Sequence, residues 1–306
     1  MLHSYAISPD ALSHILSDPE RSVHFLGSIG LGSPRVFLEF PKEWNTLAQS
    51  ACCKSSMAAT PKFQIALTEF LKKLLSDGVI RRQGDSVSKD NWHDAIEKVY
   101  AVEPFHAVLC ASKALQIPTV DVKKPDWQTN QYWDVPNTLS VECQPKYIVK
   151  NVSSMVLNSV NVTWVAPYFK SDFTAHLGVL SQLKSTLRAR VTEIEKFRII
   201  AAYGEKNPTL EFVKATFSHD LELCELLKKN AFEIVWVEPK NAHIRLHNRY
   251  WISSFGVLFS GDEPRNGSDQ TIDDWSVLSR QGAIDKMALY NYDFDKHWAV
   301  RQRYSL

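Results

Sequence analysis

The chain has 306 residues, of which 44% are hydrophobic and 23% are charged, and its formal net charge is +1. This is the composition of an ordinary globular protein, and the length leaves room for two domains. The near-neutral charge excludes a protein-wide basic field, so any binding to phosphates must come from a local patch.

Helices and strands alternate in the N-terminal part of the chain. Ser8 is a plausible N-cap for a helix over residues 9–16, and one apolar face at helical spacing predicts a second helix over residues 61–76. A further helix is predicted over residues 91–101, strands over 35–40, 79–80 and 105–110, and a loop over 23–32. The alternation indicates an α/β or α+β domain over residues 1–112.

Residues 113–146 have a different character, because prolines and large aromatic residues recur there. The prolines are Pro118, Pro125, Pro136 and Pro145, and the aromatic residues are Trp127, Tyr132 and Trp133. Prolines at this spacing interrupt regular structure. The segment is interpreted as an ordered connector whose aromatic side chains pack on the domains; a partner-binding loop is the alternative.

The C-terminal part, residues 147–306, predicts a second domain. Long helices are predicted over 173–194 and 209–230, and strands over 160–169, 197–203, 232–237, 242–252 and 256–260. Strands joined by helices of this length call for a largely parallel sheet with right-handed crossovers. The expected fold class is therefore α/β with two domains, the second a mixed sheet flanked by helices.

The predicted strand over residues 242–252 carries an unusual alternation. In an extended strand, His243, Arg245, His247 and Arg249 all project from one face. Such groups repel one another unless anions or carboxylates lie nearby. A phosphate would satisfy them, because the arginine fork matches its oxygens. The pattern predicts that His243 and Arg245 bind phosphate or nucleic acid.

The order of the C-terminal elements and this short motif together resemble the phospholipase-D-like superfamily. The likeness covers roughly residues 150–260: a strand ending in Ala166-Pro-Tyr-Phe169, two helix–strand units, then a strand with His-x-basic. The resemblance implies a phosphodiesterase or nuclease ancestry. It implies that His247 is the nucleophile that forms a phosphohistidine, and that Arg249 stands where the family has the lysine that neutralises phosphate charge. A second histidine would come from the other subunit of a homodimer.

The sequence also departs from the family pattern. Ser254 stands five positions after Arg249, where the family has aspartate, and the pair Gly267-Ser268 is not at the family spacing. The leading interpretation is a degenerate domain that binds phosphate, nucleic acid or a protein partner within a nucleic-acid-processing or anti-phage-defence-type assembly. An active, metal-independent phosphodiesterase is the first alternative. A structural subunit is the second, with the arginines in ion pairs and the histidines satisfied by Glu238, Asp262 or backbone.

A basic stripe is predicted on the helix over residues 173–194. Its members are Lys184, Arg188 and Arg190, followed by Lys196. Such a stripe is usually a solvated face, but it is also a candidate contact for phosphate or nucleic acid.

Metal and cofactor sites are not predicted. The five cysteines are odd in number and lack C-x-x-C spacing, which is typical of reduced thiols in a cytoplasmic protein. His93 and His106 have no partner at a metal-binding spacing and are interpreted as core or surface residues. A metal-dependent nuclease site at Asp85, Asp90 and Asp94 is a minor alternative. No signal peptide is visible, and the apolar runs are shorter than the roughly 20 residues that a membrane helix needs.

Overall fold

We analysed a computed structural model of the chain. The structure describes residues 1–53, 61–77, 79–81, 91–111, 115–170, 174–190, 193–204, 207–266 and 270–306. Asp85, Asp90, Phe173 and the pair Gly267-Ser268 lie outside these ranges. Contacts divide the chain into two compact units: Leu2–Pro136, and Asn137–Leu306 together with Met1. The division falls inside the segment predicted as a connector.

The first unit contains a parallel sheet. Its strands are β1 (His3–Ile7), β2 (Arg35–Glu39), β3 (Val79–Arg81), β4 (Ala107–Cys110) and β5 (Thr119–Asp121). Among the described residues the strand order is β3-β2-β1-β4-β5, and all neighbours run parallel. The chain adds β2 and β3 on one side of β1 and then returns to add β4 and β5 on the other. The order therefore reverses between β1 and β4.

Three of the five helices described in the first unit were predicted from the sequence. They are α1 (Pro9–Leu16), α2 (Pro19–Ser28), α3 (Trp44–Cys53), α4 (Pro61–Ser76) and α5 (Trp92–Val102). The prediction for α1 is confirmed, and the Ser8 hydroxyl accepts a hydrogen bond from the Ala11 amide at 3.3 Å. The loop predicted over residues 23–32 is wrong in its first half, because α2 continues to Ser28. The start signal of α2 is Asp18, which caps the helix, followed by Pro19 at its first position.

The aromatic residues of the predicted connector belong to the core of the first unit. Trp127 and Trp133 are buried there. Trp133 stacks on Phe25 with ring centroids 5.8 Å apart. The rings of Trp127 and Trp133 pack edge to face, with centroids 4.9 Å apart. The rings therefore stabilise the unit by burying apolar area, which a partner-binding loop would leave exposed.

Two half-buried histidines share a hydrogen bond at the start of β1 and just before β4. His3 Nδ1 lies 3.1 Å from His106 Nδ1, and His106 Nε2 lies 3.0 Å from the Tyr132 carbonyl oxygen. Because the carbonyl can only accept, His106 carries its proton on Nε2 and accepts at Nδ1 from His3. Burial, and next the neighbouring His106, lowers the pKa of His3 to about 3. Burial also lowers the pKa of His106.

We expect this pair to make the first unit sensitive to acid. A histidine whose folded pKa lies below its unfolded value binds fewer protons in the folded state, so acidification through about pH 6.5 favours unfolding. When the pH is lowered from about 7.5 to about 5, protonation of His3 in the unfolded chain should reduce the free energy of unfolding by about 1–2 kcal/mol. Denaturant titration at both pH values measures this fall, and His3→Gln should reduce it. An unchanged pH dependence in the variant would contradict the assignment.

The second unit contains a mixed sheet. Its strands are β6 (Thr138–Glu142), β7 (Asn161–Val165), β8 (Lys196–Ala202), β9 (Phe232–Pro239), β10 (Arg249–Ser253), β11 (Gly256–Ser260), β12 (Ile272–Val277) and β13 (Trp298–Ser305). The order is β13-β9-β8-β7-β10-β11-β12-β6 across the described part of the chain. Among the described strands of this sheet, β7, β8 and β9 pair in parallel with one another, and the other pairings are antiparallel. The predicted mixed sheet flanked by helices is thus confirmed.

Both long helices predicted in this unit are in fact pairs of shorter helices. The helices are α6 (Pro145–Asn158), α7 (Thr174–Gln182), α8 (Lys184–Arg188), α9 (Leu210–Ser218), α10 (Leu221–Lys229), α11 (Arg280–Met287) and α12 (Phe294–His297). Asp220 begins α10 as an N-cap, accepting from the Leu223 amide at 3.0 Å. The apolar spacing did not predict where each helix is interrupted, because leucines continue at helical intervals into the following helix.

The strand predicted over residues 242–252 is wrong for its first seven residues. β10 begins only at Arg249, and residues 243–248 form a turn and irregular backbone. Asn241 starts the turn: its side-chain oxygen accepts from the His243 amide at 2.9 Å, and its carbonyl accepts from the Ile244 amide at 3.0 Å. Asparagine favours such turns by bonding the backbone two residues on, and here that preference outweighs the strand pattern.

No helix in the described ranges is long and apolar enough to cross a membrane.

Candidate phosphate-binding site

Arg249, the first residue of β10, lies at the carboxyl end of β7. The two strands are antiparallel, and the pair Tyr250 and Val165 is the one nearest that end. The chain leaves β7 there through the segment Ala166–Lys170, which carries Tyr168. Strand pairing therefore brings the His-x-Arg motif beside a segment about 80 residues earlier in the chain, as the register predicts.

The charge of Arg249 is matched inside the protein. Its Nε donates to Glu263 Oε1 at 2.8 Å and its Nη1 donates to the Gly261 carbonyl at 3.0 Å. The guanidinium also lies 5.1 Å from the centre of the Tyr168 ring. Both side chains of the ion pair are only 13% exposed. Arg249 is thus held in place, with two of its five N–H donors bonded to the protein.

Glu263 joins Arg249 to a buried histidine. Its Oε2 lies 2.8 Å from His176 Nε2, and the His176 side chain is 1% exposed. Burial by itself would raise the pKa of Glu263, but the hydrogen bond from His176 and the attraction of Arg249 outweigh it and hold the pKa below its usual value. Sequence reasoning missed this carboxylate, although β11 leads directly into it: Ser260 is paired with Arg249 in the sheet.

His247, the predicted nucleophile, is exposed and contacts Tyr168. Its Nδ1 lies 3.2 Å from the Tyr168 hydroxyl, with the ring centroids 6.4 Å apart and nearly perpendicular. His243 and Arg245 are exposed as well. Within the part of the chain that the structure describes, neither has an ion-pair partner. We call His243, Arg245 and His247 the basic turn.

A cleft of about 330 Å³ adjoins Tyr168 at the carboxyl ends of β7 and β8. Its lining includes Tyr168, Lys170 and Tyr203, and we call it the Tyr168 cleft. Tyr168 is 50% exposed and Tyr203 is 43% exposed. Lys170 is exposed beside them. Exposed aromatic faces next to cations can stack on planar groups and attract anions.

Two members of the predicted basic stripe, Lys184 and Arg188 of α8, are paired with acidic residues. Lys184 Nζ lies 3.0 Å from Asp220 Oδ2, and Arg188 pairs with Glu222. Arg190 donates to the carbonyls of Val156 and Ser159 at the end of α6. Burial lowers the pKa of Arg190 to about 10. The charges of Lys184 and Arg188 are therefore compensated within the protein, and Arg190 is bonded to backbone carbonyls at the end of α6.

The remaining residues of the motif are placed as follows. Ser254, which replaces the family aspartate, lies in the turn between β10 and β11, at the opposite end of β10 from Arg249. Glu238 pairs with Arg301 at 2.7 Å and Asp262 with Arg265 at 2.9 Å. The carboxylates suggested as partners for the histidines are thus used elsewhere.

Comparison with known proteins leaves the family open. No protein-family model matches the chain, and no curated protein matches it in sequence. Among solved structures, the archaeal chromatin protein TrmBL2, described as showing a novel mode of DNA binding, matches with a TM-score of 0.30 and 12% identity. The match covers 77% of this chain and 67% of that one. At this level the likeness carries no conclusion about fold or function.

Proposed function

We propose that the chain is a two-domain protein whose C-terminal domain is a degenerate phospholipase-D-like module that binds the phosphates of single-stranded nucleic acid. Its setting would be a nucleic-acid-processing or defence assembly. The observation that carries the proposal is the basic turn beside the Tyr168 cleft. Its exposed groups have no acidic partners among the described residues, and the exposed ring of Tyr168 contacts one of them, His247.

The combination of groups favours single strands over a duplex. Single strands are bound by cations that follow the backbone and by aromatic side chains on which bases stack. Arg245 and Lys170 would supply the cations, and Tyr168 and Tyr203 the rings. Both residues are about half exposed, so part of each side chain is accessible to a base.

The surroundings of Arg249 favour binding over catalysis. In the family, the lysine after the histidine neutralises the phosphate in the transition state. Here Arg249 is bonded to Glu263 and Gly261, so it is committed within the protein. A guanidinium also differs from an ammonium in size and geometry.

We expect the protein to bind a fluorescein-labelled single-stranded oligonucleotide, with an affinity that falls as salt rises. Each phosphate contact contributes a slope of about −0.7 in a plot of log affinity against log salt. Arg245→Ala should reduce the slope by about one such contact. Tyr168→Ala should weaken binding about tenfold, because stacking is worth about 1–3 kcal/mol per base. Fluorescence anisotropy measures both effects.

Lys229→Ala is the matched control for Arg245→Ala. Lys229 is an exposed cation on α10 that pairs loosely with Glu193, at 3.8 Å. Both substitutions remove one positive charge, so a general charge effect would appear in both. Equal losses in the two variants would contradict a site at the basic turn. No binding at low salt would reject the proposal and leave a structural role.

A homodimeric phosphodiesterase remains the rival function, and the exposed, Tyr168-bonded His247 is the observation that favours it. It predicts cleavage of a generic phosphodiester in the presence of a chelator, lost in His247→Ala. Cleavage that survives this substitution would exclude His247 as the nucleophile. Binding without cleavage supports the degenerate module.

A further inference from the structure

Three side chains that can bind a metal ion meet in the first unit where its strand order reverses. Asp10 is the second residue of α1, His93 is the second residue of α5, and Cys110 is the last residue of β4. Their ligand atoms all lie within 4.8 Å of one another. In open parallel sheets, ligands bind outside the carboxyl ends of the strands at such a reversal.

The two distances from His93 are close to those around a tetrahedral ion, and the third pair, Asp10 and Cys110, lies within 4.8 Å. His93 Nε2 lies 3.4 Å from Cys110 Sγ and 3.9 Å from Asp10 Oδ1. A zinc ion with bonds of about 2.0–2.3 Å holds its ligand atoms roughly 3.5 Å apart. Both distances are within about half an ångström of that spacing, which small side-chain rotations can close.

We propose that Asp10, His93 and Cys110 bind a zinc ion. A thiolate and an imidazole select zinc over magnesium or calcium, which prefer oxygen ligands. Three protein ligands are also the number found in catalytic zinc sites, where the fourth position takes water or a substrate atom. The site would therefore offer a place for an anionic or carbonyl-bearing small molecule at the edge of the parallel sheet.

Neighbouring groups hold the three ligands in position. The Ser8 hydroxyl donates to Asp10 Oδ1, and the Ser8 amide donates to the Leu109 carbonyl at 2.9 Å, which ties the end of β1 to β4. The Trp92 ring stands perpendicular to the His93 ring, with centroids 5.4 Å apart. Contacts of this kind orient metal ligands and strengthen metal binding.

A cysteine nucleophile activated by histidine is the other chemistry that these residue types could support. In that arrangement the orienting carboxylate contacts the ring nitrogen that faces away from the nucleophile. Here Asp10 and Cys110 both face Nε2 of His93. Three groups directed at one point fit a shared cation better than a relay through the imidazole ring.

The test uses full-length protein stripped of metal with a chelator. We expect it to bind one zinc ion per chain in competition with a chromophoric chelator, and to give the absorption of thiolate-bound cobalt when Co²⁺ is added. Cys110→Ser and His93→Gln should each weaken zinc binding by at least about 10–100-fold, the loss reported even for groups that only contact a ligand. Cys53→Ser removes an exposed free thiol and should change neither result.

The site would be rejected if the folded wild-type protein failed to bind zinc. Unchanged zinc affinity in both Cys110→Ser and His93→Gln would reject it as well. Cys110 is buried, so its substitution can disturb the fold. Asp10→Asn, at a half-buried position, provides a milder change, and circular dichroism verifies folding. Weakened binding in folded Asp10→Asn supports the site, whereas wild-type affinity in both Asp10→Asn and His93→Gln rejects it.

Discussion

Glu263→Gln is expected to destabilise the second unit by about 2–3 kcal/mol. The substitution keeps the shape of the side chain but removes the charge that satisfies Arg249, which is 13% exposed, and His176, which is 1% exposed. A buried cation without its partner costs far more than the ion pair itself contributes. Chemical denaturation of wild type and variant at neutral pH measures the loss.

Glu238→Gln is the matched control. Glu238 also pairs with an arginine at close range, but it is 41% exposed and its partner Arg301 is 54% exposed. Water screens such a pair, so the expected change is about 0–1 kcal/mol. Equal effects at the two sites would show that the Glu263 cluster does not depend on burial.

The difference between wild type and Glu263→Gln should also depend on pH. Because the folded pKa of Glu263 lies below its ordinary value of 4.5, its contribution is fully present above about pH 4.5. It disappears as the pH falls through the lower folded pKa. The two unfolding curves should therefore converge in acid, and a constant difference would contradict the shift.

Trp251→Ala should have the largest effect on stability, about 3–5 kcal/mol. Trp251 is 1% exposed. It stacks on Trp164 of β7, directly opposite in the sheet, with ring centroids 4.7 Å apart and planes inclined by 13°. Removal of the Trp251 ring leaves a cavity beside Trp164 on the face of the sheet where the two rings stack. Denaturant unfolding followed by circular dichroism measures the change.

Tyr292→Ala is the control for loss of an aromatic ring. Tyr292 is 78% exposed, so removing its ring creates no internal cavity. The free energy of unfolding should change by no more than about 0.5 kcal/mol. If Trp251→Ala cost as little, the ring pair would not hold β7 and β10 together.

The sequence alone determined part of the local structure. The cap at Ser8 and the apolar spacing of residues 61–76 predicted α1 and α4, and β-branched runs predicted β2, β8, β9 and β11. These predictions succeed because capping and periodicity act over a few residues. The strand prediction failed after Asn241, whose side chain stabilises a turn. His243, Arg245 and His247 therefore lie outside the strand, and only Arg249 lies within it.

Only the tertiary structure decided which groups act together. Arg249 meets Glu263 because β10 and β11 are paired, and it meets Tyr168 because β10 is paired with β7. Spacing along the chain also gave no sign that His93 and Cys110 approach Asp10, since these residues come from two separate helices and a strand. The sequence also did not show that Lys184 and Arg188 of α8 are paired with acidic residues. Their partners, Asp220 and Glu222, lie at the start of α10. Residue types are set by the sequence, but strand order and register determine which of them lie within bonding distance.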